Sequence, residues 1–219
     1  MVALTGLNQE QREAVECVTG PLLVLAGAGS GKTRVITYRV AHLLDEGVSA
    51  QEILALSFTN KAANEMRERV TDLVSERGQT WVLSTFHALG LRFLRQEYDA
   101  AGLQRNFTVL DEGDQIDAVK GVLTHAGYDV KRYDPKSVHG RIGAFKSRLQ
   151  RPDGRRGGFD GVVAHVAPLY GQRLRALNAV DFDDLIALPV WLMSSKKSLN
   201  YAWSGRFRHI MVDEYQDTN

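Results

Sequence analysis

Ala26-Gly27-Ala28-Gly29-Ser30-Gly31-Lys32-Thr33 is the stretch around which this sequence is organised. It follows the apolar run Leu22–Leu25 and precedes a segment with helical spacing. A strand that enters a glycine-rich turn and continues as a helix directs several backbone N–H groups at one point. Lys32 adds a positive charge for phosphate oxygens, and the Thr33 hydroxyl is a suitable ligand for Mg²⁺. The stretch therefore predicts a nucleotide-phosphate site, although Ala26 stands where the usual pattern begins with glycine.

The composition is that of an ordinary globular protein. The 219 residues are 44% hydrophobic and 24% charged, which suits one large domain or two small ones. A net charge of +1 neither indicates nor excludes binding to nucleic acid, because the charge of a basic groove can be balanced by acidic residues elsewhere. The single cysteine, Cys17, excludes an internal disulfide. No apolar run is long enough for a membrane span and no signal peptide is evident, so we expect a cytoplasmic protein without a membrane partner.

Strands and helices alternate over the first hundred residues, and this predicts an α/β fold with a parallel sheet. The predicted strands are residues 22–25, 53–58 and 81–85, and the predicted helices are residues 8–18, 31–46, 60–75 and a helix from 86 onward. After about residue 100 the alternation stops, and residues 107–175 predict short helices and loops. Asp181–Asp184 opens a further helix, Ser194–Asn200 predicts a loop, and a last strand covers 209–212.

Two further features bear on chemistry. Asp213-Glu214 directly follows the last predicted strand, where an aspartate can hold a Mg²⁺ shell and a glutamate can take a proton from water. The stretch 141–156 contains six basic residues, which fits either a phosphate-backbone contact or a solvated helix face. Gln11 offers the donor and acceptor needed to read the adenine edge, but taken alone it fits a solvated helix residue better.

Several motifs in order resemble the N-terminal half of UvrD/PcrA/Rep-type superfamily 1 DNA helicases. They are Leu7-Asn8-x-x-Gln11, Ala26–Thr33, Phe58–Ala63, Ser84–His87, Asp181–Leu185 and Val212–Asp217. The resemblance implies a RecA-like P-loop ATPase domain, a parallel β-sheet flanked by helices, with a mainly helical inserted subdomain. It places the first part of the ATPase domain at 1–100, the insertion at 101–200 and the return to the ATPase domain at 201–219.

The resemblance also implies a function. It indicates an ATP-dependent DNA helicase of the kind used in DNA repair, which moves 3′ to 5′ on single-stranded DNA with ATP and Mg²⁺ as cofactors. Its partners would be single-stranded DNA and the junction of single-stranded with double-stranded DNA. The basic stretch 141–156 would then favour DNA, because the insertion touches DNA in this family.

Residue roles follow from the same resemblance. The catalytic group would be Lys32 on the phosphates, Asp213 on the metal, Glu214 as general base and Gln216 as the γ-phosphate sensor. Mg²⁺ would be held by Thr33 and Asp213. The nucleotide would be bound by Gln11, Ala26, Gly27, Ala28, Gly29, Ser30, Gly31, Lys32, Thr33 and Arg34. Single-stranded DNA would be contacted by Phe58, Thr59, Asn60, Lys61, Phe86 and His87, since an aromatic beside small polar residues suits stacking of unpaired bases.

The family continues beyond the Asp-Glu motif with a second RecA-like domain, whose arginines reach the γ-phosphate. Such an arginine is worth about 10³–10⁵ in rate. We therefore expect the 219-residue chain to bind ATP better than it hydrolyses it, and not to unwind DNA alone. We also expect His209–Val212 to lie centrally in the sheet, and an unpaired sheet edge to promote self-association. Two alternatives stay open: a module that binds ATP and DNA without hydrolysis, and a P-loop kinase for a small molecule.

Overall fold

The computed structural model describes residues 2–27, 29–74, 83–154 and 157–218. These residues form two compact units, one of Met1–Phe86 with Tyr201–Asn219 and one of His87–Asn200. In chain order the helices and strands are α1 (Gln9–Glu16), α2 (Lys32–Asp45), β1 (Ile53–Ser57), α3 (Asn60–Val74), β2 (Leu83–Thr85), α4 (Phe86–Gln96), β3 (Thr108–Val109), α5 (Glu112–His125), α6 (Pro135–Ser147), α7 (Gly158–Ala176), β4 (Ala179–Val180), α8 (Asp184–Ser195), α9 (Lys197–Ser204) and β5 (His209–Val212). In this part of the chain no helix is both long and apolar enough to cross a membrane.

The first unit contains a parallel sheet with the strand order β2-β1-β5, which confirms the predicted α/β class. All five residues of β1 are buried, as expected for a parallel strand covered on both faces. Helices α2 and α3 supply the core residues Val40, Leu43, Met66 and Val70. The register pairs Leu56 with Val212, so the carboxyl ends of β1 and β5 lie side by side.

Two predictions about this sheet are wrong. Leu22–Leu25 is not a strand: it joins no ladder, and the Leu23 and Leu25 side chains are 67% and 85% exposed. In the described residues β5 is an edge strand rather than a central one, and Ile210 on it is 59% exposed. The two differences are linked: the edge of β5 that faces away from β1 pairs neither with residues 22–25 nor with any other described strand.

The second unit is mainly helical. Its core lies between α5, α6 and α7, and the buried residues are Val119, Val122, Leu123, Val138, Ile142, Val162, Val163, Val166, Tyr170 and Leu174. The prediction of only short helices here is wrong, since α7 runs for 19 residues and contains Pro168. Its apolar positions recur at helical spacing, and their burial holds the helix together through the proline. A short parallel pair, β3 with β4, was not foreseen.

Ser194–Asn200 is helical rather than a loop. The helix α8 extends to Ser195, and α9 begins at Lys197. The Ser194 hydroxyl donates to the Val190 carbonyl, four residues earlier, at 2.7 Å, so a serine can be accommodated in the last turn of α8. The polar composition of the segment therefore reflects exposed helix faces, not irregular backbone.

Candidate nucleotide and nucleic-acid site

The phosphate loop has the backbone that its glycines predict. Gly29 and Gly31 have φ values of 75° and 87°, the left-handed region that glycine adopts without strain. Gly31 precedes the first residue of α2, so the free N–H groups of the helix begin at the loop. The Ser30 hydroxyl donates to the Gly27 carbonyl at 2.6 Å and closes the turn. Ala28, also predicted to bind nucleotide, lies outside the described residues.

Lys32 and Thr33 are the first two residues of α2. The Lys32 ammonium donates to the Ala26 carbonyl at 3.2 Å and lies 3.5 Å from the Gly27 carbonyl, so its charge stands over the loop. The Thr33 hydroxyl donates to an Asp213 carboxylate oxygen at 3.2 Å. Two oxygen ligands separated by 180 residues in sequence are thus adjacent, an arrangement that one Mg²⁺ ion could share.

Asp213 and its neighbours lie at the carboxyl end of β5. The Asp213 side chain is buried, and its backbone N–H donates to the Leu56 carbonyl of β1. Glu214 has a left-handed φ of 49°, a conformation that favours glycine, and its N–H donates to the Asp213 carboxylate at 3.1 Å. The Gln216 amide donates to the Glu214 carboxylate. Hydrogen bonds therefore connect three of the four predicted catalytic residues, Asp213, Glu214 and Gln216.

Gln11 reaches the phosphate loop, although its predicted adenine contact stays a prediction. Asn8 caps α1 and accepts from the Gln11 backbone, while the Gln11 side-chain oxygen accepts from the Asn8 backbone at 3.1 Å. The other end of the amide donates to the Ser30 carbonyl at 2.9 Å. Arg34 lies close to Gly6, and its guanidinium stands 5.4 Å from the centre of the Tyr38 ring.

The predicted DNA residues of the first unit cluster where β1 and β2 end. Phe58 is 42% exposed and its ring lies 5.5 Å from that of Phe86. The Thr59 hydroxyl accepts from the Ala62 backbone and caps α3, and Asn60 and Lys61 are exposed in its first turn. In the second unit, His87 is exposed and its ring packs edge-on against Phe182.

The sequence pattern of one family extends over both units. The UvrD/REP helicase N-terminal domain family matches residues 7–219. This chain belongs to that family. It is 43% identical to the ATP-dependent DNA helicase PcrA of Bacillus subtilis (strain 168) and 44% identical to that of Staphylococcus aureus (strain Mu50 / ATCC 700699), in each case over 99% of its length. The chain spans 30% of the length of each of these relatives.

In this UvrD/REP-family chain, sequence reasoning missed a buried ionic cluster in the second unit. The Lys146 ammonium lies 2.6 Å from an Asp181 oxygen and 2.8 Å from an Asp184 oxygen. Burial raises the pKa of Asp184 to about 6, and the Asp181 charge adds to the effect while Lys146 opposes it. Burial disfavours the charged Lys146, but Asp184 and Asp181 outweigh it and the pKa of Lys146 is raised. Lys146 follows the buried Val138 and Ile142 at four-residue spacing, a signal that it faces inward.

The basic stretch 141–156 therefore divides into several environments. Lys146 is engaged in the cluster, and Arg141 forms a two-pronged pair with Asp160 at 3.0 and 3.2 Å. Arg148 and Arg151 are exposed and line, with Arg141, a cavity of about 380 Å³. Residues 155 and 156 lie outside the described ranges. Exposed arginines beside a cavity are the part of this stretch that suits phosphate contacts.

Proposed function

We propose that this chain is the nucleotide-binding part of a RecA-like motor that hydrolyses ATP to move along single-stranded DNA. The observation that supports it best is the Thr33 hydroxyl against the Asp213 carboxylate at the head of the phosphate loop. A P-loop NTPase holds Mg²⁺ with a loop Ser/Thr and an acidic residue after a strand. The sequence relationship to ATP-dependent DNA helicases agrees with this chemistry.

The residues fit ATP and Mg²⁺ in a defined way. The loop N–H groups and the Lys32 ammonium would bind the β- and γ-phosphates, and Thr33 and Asp213 would hold the metal. Bound Mg²⁺ would neutralise phosphate charge that develops during transfer. Glu214 would accept the proton of the attacking water, and its hydrogen bond from Gln216 would connect that carboxylate to the state of the nucleotide.

Nucleotide binding is tested with a fluorescent ATP analogue, with and without Mg²⁺. Thr33→Val and Asp213→Asn should each weaken Mg²⁺-dependent binding by about tenfold or more, because the first removes an oxygen ligand and the second removes the negative charge of the carboxylate ligand. Thr71→Val is a matched control, since Thr71 lies on α3 and its hydroxyl donates to the Arg67 carbonyl of the same helix. Equal affinities for all four proteins in Mg²⁺ would show that this site does not hold a metal–nucleotide complex.

We also propose that single-stranded DNA stacks on the aromatic pair Phe58 and Phe86. Stacking of one base on an aromatic side chain is worth about 1–3 kcal/mol. Phe58→Ala should therefore weaken binding of a labelled single-stranded oligonucleotide by about tenfold, measured at two salt concentrations. Phe159→Ala is the control, because Phe159 is 39% exposed on the second unit and has no such aromatic partner among the described residues. Equal losses in the two variants would place the DNA elsewhere, and no salt-dependent binding at all would favour a small-molecule kinase.

The 3′-to-5′ direction, the strand junction as a partner and the helicase activity of the whole protein are part of the same proposal and rest on the family. The described residues around the phosphate loop supply the loop, the metal ligands and the base. In this family the arginines that reach the γ-phosphate belong to a second RecA-like domain, and the chain spans only 30% of its relatives' length, so we expect the 219 residues to bind ATP with little turnover and without unwinding DNA. A phosphate-release assay with single-stranded DNA tests this, and rapid DNA-stimulated turnover by this chain would contradict it.

A further inference from the structure

The second unit contains a group of potential metal ligands away from the phosphate loop. His139 lies on α6, Asp181 follows β4 and Asp183 precedes α8. One ligand atom from each residue lies within 4.8 Å of the other two. We propose that these three side chains bind one Zn²⁺ ion, which would tie α6 to the start of α8.

Charge is the first argument for a cation here. The carboxylates of Asp181, Asp183 and Asp184 face a single ammonium, that of Lys146, and Asp181 is almost fully buried. Besides this ammonium, the groups that face Asp183 are the imidazoles of His139 and His87, so the three carboxylates carry more negative charge than Lys146 alone can balance. Buried charges are normally paired or coordinate metals. An ion of charge +2 would neutralise the cluster while Lys146 keeps its contact with Asp184.

Unsatisfied buried atoms are the second argument. The His139 Nε2 atom is buried and has no hydrogen-bond partner among the described residues. The Tyr170 side chain is fully buried in an edge-to-face contact with the His139 ring, and its hydroxyl faces the Asp181 carboxylate without a hydrogen bond of normal geometry among the described residues. Buried polar atoms without partners are rare. A metal ion would take the lone pair of the buried His139 Nε2 atom.

The ligand types favour zinc over magnesium. Imidazole nitrogen with carboxylate oxygen suits Zn²⁺, whereas Mg²⁺ prefers oxygen ligands and water. Zn²⁺ binds these atoms at about 2.0–2.2 Å, so the ligand atoms must approach one another to roughly 3.3 Å. Gly143, four residues after His139 on α6, leaves room for the Asp183 carboxylate beside that helix, because a Cβ at this position would stand 2.5 Å from an Asp183 oxygen. The bare backbone at Gly143 lets the Asp183 carboxylate come close to α6.

The test is a titration of Zn²⁺ into the 219-residue chain against a chromophoric chelator, with excess Mg²⁺ to occupy the carboxylates near the phosphate loop. We expect one Zn²⁺ per chain. His139→Asn should weaken this binding by about 100-fold, since even partners of metal ligands are worth 10–100-fold. His125→Asn is the matched control, because His125 is an exposed histidine of the same unit, on α5, and should leave the affinity unchanged.

Thermal unfolding provides a second measurement that does not depend on the chelator. Zn²⁺ should raise the Tm of the wild-type chain and of His125→Asn, because an ion that binds only the folded state stabilises it. This rise in Tm should be absent in both His139→Asn and Asp183→Asn. If one of these variants fails to fold, the other still tests the proposal. The proposal is overturned if the wild-type chain binds no equivalent of Zn²⁺, which would mean that protons balance the cluster. It is equally overturned if His139→Asn binds as tightly as the wild type.

Discussion

Replacing Lys146 with methionine would test whether the buried ionic cluster determines the stability of the second unit. The ammonium lies within 2.8 Å of both carboxylates, and the Asp181 and Asp184 side chains are only 1% and 12% exposed. Methionine keeps most of the apolar stem but leaves two buried carboxylates without their cation. Removal of one partner from a buried ion pair costs about 3–5 kcal/mol. We expect the free energy of unfolding at about pH 8 to fall by that amount in urea titrations with EDTA present.

The loss should depend on pH in a defined direction. Lys146 lowers the pKa of Asp184, which burial nevertheless raises to about 6, so its removal raises that pKa further. A carboxyl group whose pKa is higher in the folded state binds more protons there, and its contribution to stability falls as the pH rises through that range. The folded variant can therefore relieve the uncompensated charge by protonation at about pH 5. The difference from wild type should be smaller at about pH 5 than at about pH 8.

Arg148→Met is the matched control for this experiment. Arg148 directly follows the same helix as its C-cap, but it is exposed, and a surface substitution of this kind changes stability by about 0.5 kcal/mol or less. Equal losses in the two variants would refute the reasoning, because a solvated Lys146 would then be as dispensable as Arg148. A Lys146→Met loss that does not change between the two pH values would refute the assigned role of the carboxylates.

Two further substitutions test packing and the sheet edge. A methyl group at Gly90 would overlap the Leu185 carbonyl, so Gly90→Ala should lower the free energy of unfolding by about 1–3 kcal/mol. A methyl group at Gly121 meets open space, so Gly121→Ala should raise the free energy of unfolding by about 0.5–1 kcal/mol. Urea unfolding that ranks the two variants in the opposite order would contradict the contact between Gly90 and Leu185. Ile210→Lys places a charge on the exposed edge strand β5 and should reduce self-association in size-exclusion chromatography over a concentration series. Leu177→Lys, at an exposed position of the other unit, is the control and should leave self-association unchanged. A wild-type chain that stays monomeric at every concentration would rule out the β5 edge as an association site.

The sequence was most informative where the signal is local. The strand β1 and the glycine-rich turn at Ala26–Thr33 follow from nearest-neighbour chemistry, and the structure shows a buried β1 and left-handed backbone at Gly29 and Gly31. The paired aromatics Phe58 and Phe86 were placed correctly at two strand ends, because parallel strands bring their carboxyl ends to one edge.

Signals that depend on partners were less reliable. The run Leu22–Leu25 has strand composition, but a strand exists only when its backbone finds a ladder, and this one has none among the described residues. Ser194–Asn200 is polar enough for a loop, yet exposed polar side chains are also compatible with the ends of α8 and α9. In both places the backbone conformation was decided by the available hydrogen-bond partners and not by the composition of the segment.

By itself the sequence determined the glycine-rich stretch Ala26–Thr33, an acidic pair after the last strand and the motif order of a helicase family. Each of these features is a short run of residues, and its backbone preferences depend only on close neighbours in the sequence. Only the tertiary structure decided that Thr33 meets Asp213, that Gln11 holds the loop at Ser30, and that Lys146 turns inward to two aspartates. Such pairs join residues that are distant in sequence, and the free energy that selects them comes from burial of the whole unit.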